Sequence, residues 1–227
     1  MKLISAEEFL AAVAGGDASR VQAMLDGAPE LATVRDPQGV SAPLFALYRM
    51  KKDLADILAA KKEAREPLDV FEAAAFGRVQ RLTALLAERP AAANDFAIDG
   101  FYPLGLAAFY GHEEAVALLL AHGADPNLTA RNPMKVRALH AASAARSLAI
   151  ATRLIAAGAD PDARQQAGFT PLHEAAASGQ IDLARLLIDR GADPNSKTDD
   201  GRTALALARK AGHKAMADLL LERGTRA

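Results

Sequence analysis

The amino-acid sequence predicts an all-α solenoid of about seven helix-turn-helix units joined by short finger loops. Three observations predict it. A turn phrase recurs as Gly123-Ala124-Asp125-Pro126-Asn127, Gly158-Ala159-Asp160-Pro161-Asp162 and Gly191-Ala192-Asp193-Pro194-Asn195. An apolar marker falls at Phe9, Leu44, Val70, Leu104, Leu139, Leu172 and Leu205, at intervals of 35, 26, 34, 35, 33 and 33 residues. Each marker opens a short run of small residues, which a second run of aliphatics at helical spacing follows. A period in the low thirties means that no unit buries its own apolar face, so each must stack on its neighbours.

In chain order, the first copy ends its inner helix at Gly15-Gly16 and its outer helix at Gly27-Ala28-Pro29. The second is short. Lys61-Lys62-Glu63-Ala64-Arg65-Glu66 stands where a turn and the next finger belong, so its outer helix is expected to run on without a finger. The third carries Ala73-Ala74 and ends in Glu88-Arg89-Pro90. In the fourth, Pro103 suits the first helical turn, where a missing N–H is harmless, and Val116, Leu119 and Leu120 line the outer helix. The fifth has a long finger: Asn127 to Leu139 spans 12 residues, against 10 from Asp162 to Leu172.

The sixth is the fullest copy. Gly168-Phe169-Thr170-Pro171-Leu172-His173-Glu174-Ala175-Ala176 opens it, with Thr170 placed to cap the helix, as Thr203 is in the seventh. Gly111, Gly179 and Gly212 stand where a left-handed residue ends an inner helix; Gly123, Gly158, Gly191 and Gly224 do so for outer helices. Asp17, Ser19, Arg20, Arg209, Lys210 and Lys214 suit polar caps on the two ends.

Thr-Pro-Leu-His followed by a Gly-Ala-Asp turn resembles the ankyrin repeat, and the resemblance covers nearly the whole chain. It implies one domain over residues 1–227: an N-terminal capping repeat (1–35), a short irregular repeat (36–66), central repeats (67–202) and a C-terminal capping repeat (203–227). The stand-alone layout is similar to that of bacterial ankyrin proteins. The resemblance also implies a non-catalytic adaptor that binds another protein through finger tips and concave face.

Composition narrows the alternatives. The formal net charge of −1 gives no bulk attraction to nucleic acid or an anionic membrane. The absence of cysteine removes disulfides, thiolate chemistry and Cys-based zinc sites, and fits the cytoplasm. No apolar run is long enough for a membrane span. Residues 196–227 hold seven Lys/Arg and four Asp/Glu, which suits a solvated capping helix. A monomer with a protein partner, no cofactor and no metal is expected.

No catalytic constellation stands out. His112, His122, His140, His173 and His213 lack the i, i+3 or i+4 spacing of a helical zinc site. By the resemblance, His140 and His173 tie one turn to the next. Glu113-Glu114 and Asp199-Asp200 are sequence neighbours that point to different faces or into solvent. There is no phosphate-cradling glycine loop.

The candidate binding residues come from the two positions before each inner-helix glycine: Ala14-Gly15, Ala75-Phe76, Phe109-Tyr110, Ala144-Ala145, Ala177-Ser178 and Lys210-Ala211. The second copy does not align there. Of the 11 aromatics, five lie within residues 96–110. Phe76, Phe101, Phe109 and Tyr110, with the finger residues Ile98, Asp99 and Phe169 and with Met134 and Lys135 of the long loop, form the expected partner-binding set. Two readings of the rings stand: an exposed patch in mid-groove, or packing that fills the space of the missing finger. Tyr102, in place of the usual Thr, points to packing. A small-ligand or enzymatic pocket beside the irregular copies, or a self-associating structural role, are the rival functions.

Overall fold

Four of the seven first-layer helices start where a side chain satisfies unpaired N–H groups, at Ser5, Asp69, Thr170 and Thr203. Thr203 accepts from the Ala206 N–H, Ser5 from Glu8, and Asp69 from both Phe71 and Glu72. The computed structural model describes residues 4–224; residues 1–3 and 225–227, the tips of the two expected capping repeats, lie outside the described residues. Fourteen α-helices form two layers among the described residues. The first layer holds α1 (Ala6–Gly15), α3 (Ala42–Tyr48), α5 (Val70–Ala75), α7 (Pro103–Phe109), α9 (Ala138–Ala144), α11 (Pro171–Ala177) and α13 (Ala204–Lys210). The second holds α2 (Ala18–Gly27), α4 (Lys52–Glu63), α6 (Val79–Glu88), α8 (Glu113–Ala121), α10 (Leu148–Ala156), α12 (Ile181–Asp189) and α14 (Lys214–Glu222).

Alanines set the spacing of the first layer. Ala73, Ala74, Ala107, Ala108, Ala142, Ala175 and Ala176 have no exposed surface, so neighbouring helices approach to backbone distance. The second layer closes the core with Leu82, Leu119, Leu154 and Leu187, each fully buried.

Polar side chains link each unit to the next. Asn127 Nδ2 donates to the Gly158 carbonyl (2.8 Å), and its Oδ1 accepts from the Asp160 N–H (2.8 Å). Asn94 repeats both bonds to Gly123 and Asp125. Asp162 occupies the same place in the sixth copy but can only accept, and both its oxygens face the Asp193 N–H. Burial and the charges of Asp193 and Asp160 raise its pKa. The histidines act similarly: His140 reaches the Phe169 carbonyl (3.2 Å) and His173 those of Ser196 (3.1 Å) and Arg202 (3.2 Å). His173 Nδ1 is met by Thr170, whereas in the fifth copy Arg137 replaces the threonine and leaves His140 Nδ1 buried without a partner.

The fourth copy solves the same contact differently. Tyr102 stands in the threonine place and Gly105 in the histidine place. A Cβ on Gly105 would sit 3.0 Å from the Tyr102 ring, so the glycine makes room for the aromatic. Tyr102 is 1% exposed and makes no cap, as the sequence leads one to expect.

The irregular junction lies after α4, whose 12 residues exceed the nine or ten of the other second-layer helices. Lys62 near its end is buried and pairs with buried Glu72 (3.2 Å) and with Glu66 (2.6 Å). Residues 64–69 then run straight into α5 with no finger. After α2 and α6, 3-10 turns at Pro29–Thr33 and Pro90–Asn94 replace the Gly-Ala-Asp turn.

One register needs correction. Met50 takes the left-handed conformation (φ 58°) that glycines hold in most other copies, and Arg146 does so in the fifth (φ 56°). Counting back from Met50 places Pro43, not Leu44, at the marker position of the second copy. The absence of glycine hid this, and it also brings Tyr48 and Arg49 into the aligned pair that precedes the turn.

Two outcomes follow. Asp162→Asn restores a donor to the Gly191 carbonyl and should raise unfolding free energy by about 1 kcal/mol in urea titration. Burial lowers the His140 pKa to about 4, from 6.5 when unfolded. The unfolded chain therefore binds the proton first, so stability is complete above pH 6.5 and declines towards pH 4, by up to about 3 kcal/mol from this group. Burial also lowers His112 and His173 in the same direction. Thermal unfolding across that window should show a shallower slope for His140→Gln.

Candidate functional site

The inner helices end in the aligned pairs, and their exposure separates the candidate residues. Phe109 is 42% exposed and packs edge-to-face on half-buried Tyr110, with ring centroids 5.1 Å apart. Phe76 is buried, at 6% exposure. It joins the apolar cluster of Phe9, Phe45 and Leu106 and so is not a surface binding residue, which corrects that expectation. The rings therefore divide: Phe76 and Tyr102 are core, whereas Phe109 faces solvent.

Phe101 is half-buried against Tyr48 (5.7 Å between centroids). The Tyr48 hydroxyl donates to Asp99 Oδ2 (2.7 Å), and Asp99 Oδ1 accepts from the Phe101 N–H (3.1 Å). Burial, then the Asp99 charge, pushes the Tyr48 phenol upward, so it remains a neutral donor. These contacts join the second copy directly to the fourth, across the place where a third finger is missing.

The finger tips carry two well-exposed apolar side chains, and Met50 beside Tyr110 is as exposed. Ile98 is 76% and Met134 50% exposed, and Lys135 beside Met134 holds a left-handed turn (φ 51°). Ile98 lies close over Gly39 of the second copy, where an added Cβ would come within 2.9 Å of its Cδ1. Phe169 is half-buried against His173 (5.7 Å), with the Arg202 guanidinium 5.4 Å from its ring. It stands apart from the Ile98–Phe109 region and belongs to the sixth finger's own packing.

A cavity of about 310 Å³ opens between residues 35–41 and 96–101, with Phe71 and Asp69 among its lining residues. A smaller one of about 130 Å³ lies beside Tyr110, Phe76, Leu47 and His112. His112 donates its Nε2–H to the Ala75 carbonyl (2.9 Å), since a carbonyl oxygen only accepts. Each of the five histidines meets a backbone carbonyl in this way. Arg202 and Thr198 hold Asp200 down at about 2, and Asp199 pairs with Arg164. Among the described residues no cluster of His, Cys, Asp or Glu could hold a metal ion.

Tyr48, Asp69 and Arg35 are the residues that sequence reasoning missed. The only signal for Tyr48 was its place two residues before Met50, and Met50 does not announce a turn.

A family model described as ankyrin repeats (3 copies) matches residues 70–165 and 139–227. No curated protein matches the chain.

Truncation should distinguish the two kinds of ring. Phe76→Ala should lower stability by about 3 kcal/mol, and Phe109→Ala by less than about 1 kcal/mol. Equilibrium urea unfolding of both variants checks this.

Proposed function

The chain belongs to the ankyrin-repeat family, and we propose that it is a non-catalytic adaptor that binds a protein partner through the concave face and finger tips of copies four and five. Repeats of this family are generally protein–protein interaction modules, and the helical stack seen here is consistent with that use. The observation that carries the reading is the exposure of Ile98, Phe109 and Met134 in consecutive copies, on elements held by a buried alanine layer. Large side chains on a rigid scaffold lose little conformational freedom on binding. Tyr110, Asp99 and Lys135 border them and supply hydrogen-bonding and charged groups to a polar rim.

We place the adaptor in the cytoplasm, as the cysteine-free sequence supports, and read it as a monomer. No helix among the described residues is long and apolar enough to cross a membrane.

The test is quantitative capture from host lysate on immobilised wild type, Phe109→Ala and Ile98→Ala/Met134→Ala, each first checked for an unchanged melting temperature. A partner held by wild type should weaken about 30-fold on Phe109→Ala, as truncation of a hot-spot ring does. A partner retained equally by all three baits would place the interface elsewhere and overturn the reading.

A further inference from the structure

Most fingers of the stack are tied tip to tip by their backbones. Arg131 donates its N–H to the Gly100 carbonyl (2.8 Å), Gln166 to Met134 (3.0 Å) and Asp199 to Ala167 (3.0 Å). The missing third finger interrupts this series. Ile98 stands three residues before Phe101, as Asp199 stands before Arg202, yet its N–H makes no hydrogen bond among the described residues. Gln38, two residues before Val40 as Ala167 is before Phe169, has a carbonyl that accepts none. One donor and one acceptor are thus left on the two sides of the gap.

The 310 Å³ cavity lies in the same gap. Ser41 is among its lining residues, fully buried, and its Oγ has no partner. Asp69 and Asp99 bring two carboxylates to it, and both act on the Tyr48 phenol. Asp69 Oδ1 accepts from the Phe71 and Glu72 N–H groups, which leaves Oδ2 without a partner among the described residues, and burial with the Glu72 charge raises the Asp69 pKa against the charges of Arg35 and Lys62. Arg35 lines the cavity too and its charge reaches Asp69, but both neighbouring arginines have other contacts. Arg35 Nη1 donates to the Gly39 carbonyl (3.0 Å), and Arg131 lies 3.8 Å from the Phe96 ring centre. Phe96 already carries the Arg131 guanidinium, and Phe71 adds aromatic surface, which favours a cation.

We propose that this gap is a docking slot for an extended or turn segment of the partner polypeptide, which replaces the third finger and sends one basic side chain between Asp69 and Asp99. The segment displaces the exposed Ile98 side chain from over Gly39, and its own N–H and C=O meet the Gln38 carbonyl and the Ile98 N–H, in the manner of strand addition. The size of the cavity, at the lower end for ligand sites, suits one side chain. The proposal rests on the reading of the chain as a protein-binding module and adds the chemistry of what it binds.

Titration of the ¹⁵N-labelled chain with the peptide Ac-Gly-Arg-Gly-NH₂ tests it by NMR. The controls are the citrulline and glutamate counterparts of that peptide, and methylguanidinium. Saturable shifts are expected at Gly39, Ile98, Asp99 and Phe71. The citrulline peptide, methylguanidinium and the Asp69→Asn variant should each weaken binding by about tenfold or more. Asparagine still caps α5, and Asp99→Asn keeps an acceptor for Tyr48, so an unchanged spectrum elsewhere separates lost binding from lost fold. Equal binding of the citrulline or glutamate peptide, or no saturable shift around the gap, overturns the slot. Methylguanidinium binding as tightly as the peptide overturns the polypeptide occupant. If the arginine peptide fails while Phe109→Ala still abolishes partner capture, the slot is refuted and the adaptor reading stands.

Discussion

Neighbouring first-layer helices in this stack pack through alanines with no exposed surface, so little side-chain bulk separates their backbones. Every other feature is conditional on that approach. The histidines of α9 and α11 reach carbonyls of the following finger only because the helices are so close. The Asn94 and Asn127 bridges span one repeat and no more. A larger side chain in the alanine layer would push units apart and remove several of these bonds together, since they share one spacing. The rigidity on which a preorganised binding surface depends therefore comes from the smallest side chains in the chain.

The junction after α4 shows how the stack tolerates a defect. Removing a finger deletes one set of backbone bonds, and the replacements come from elsewhere: Tyr48 on Asp99, Phe101 on Tyr48, and Ile98 over Gly39. Beneath them Lys62 and Glu72 are both buried, a pair whose attraction offsets a large desolvation penalty. Lys62 thus fills, as a charged residue in the core, part of the role that a regular turn performs in other copies. The aromatic enrichment of residues 96–110 belongs partly to this repair and partly to a surface, which is why neither reading of those rings describes all of them.

Much of the architecture was legible in the sequence because it depends on local backbone chemistry. Gly123, Gly158 and Gly191 mark left-handed turns, Thr203 marks a cap, and the 26-residue interval marks the absent finger. Long-range compensation was not legible. Met50 and Arg146 adopt a glycine's conformation without being glycine, so the second copy's register and Tyr48's place stayed hidden. The exchange of Thr and His for Tyr102 and Gly105 reads as two unrelated substitutions until the ring is seen over the glycine. At the candidate site, the residue types were readable but their exposure was not. Phe76 matches Tyr110 and Phe109 matches Ala75 in the pair before the turn, and the packing around the short copy makes Phe76 core.

The buried apolar side chains fall into two groups, one spanning residues 9–76 with Leu106 and the other residues 70–220, which meet at α5 with Phe71 and Phe101 touching both. In a one-dimensional array the total stability is a sum of unit and nearest-neighbour terms, and cooperativity divides where a coupling term is smallest. A six-residue helix, a few rings, the buried Lys62–Glu72 pair and the Tyr48–Asp99 hydrogen bond form the coupling here. The seam between the two groups lies beside the proposed slot. A segment bound across that seam would act as a staple, converting part of its binding energy into resistance of the amino-terminal block to opening.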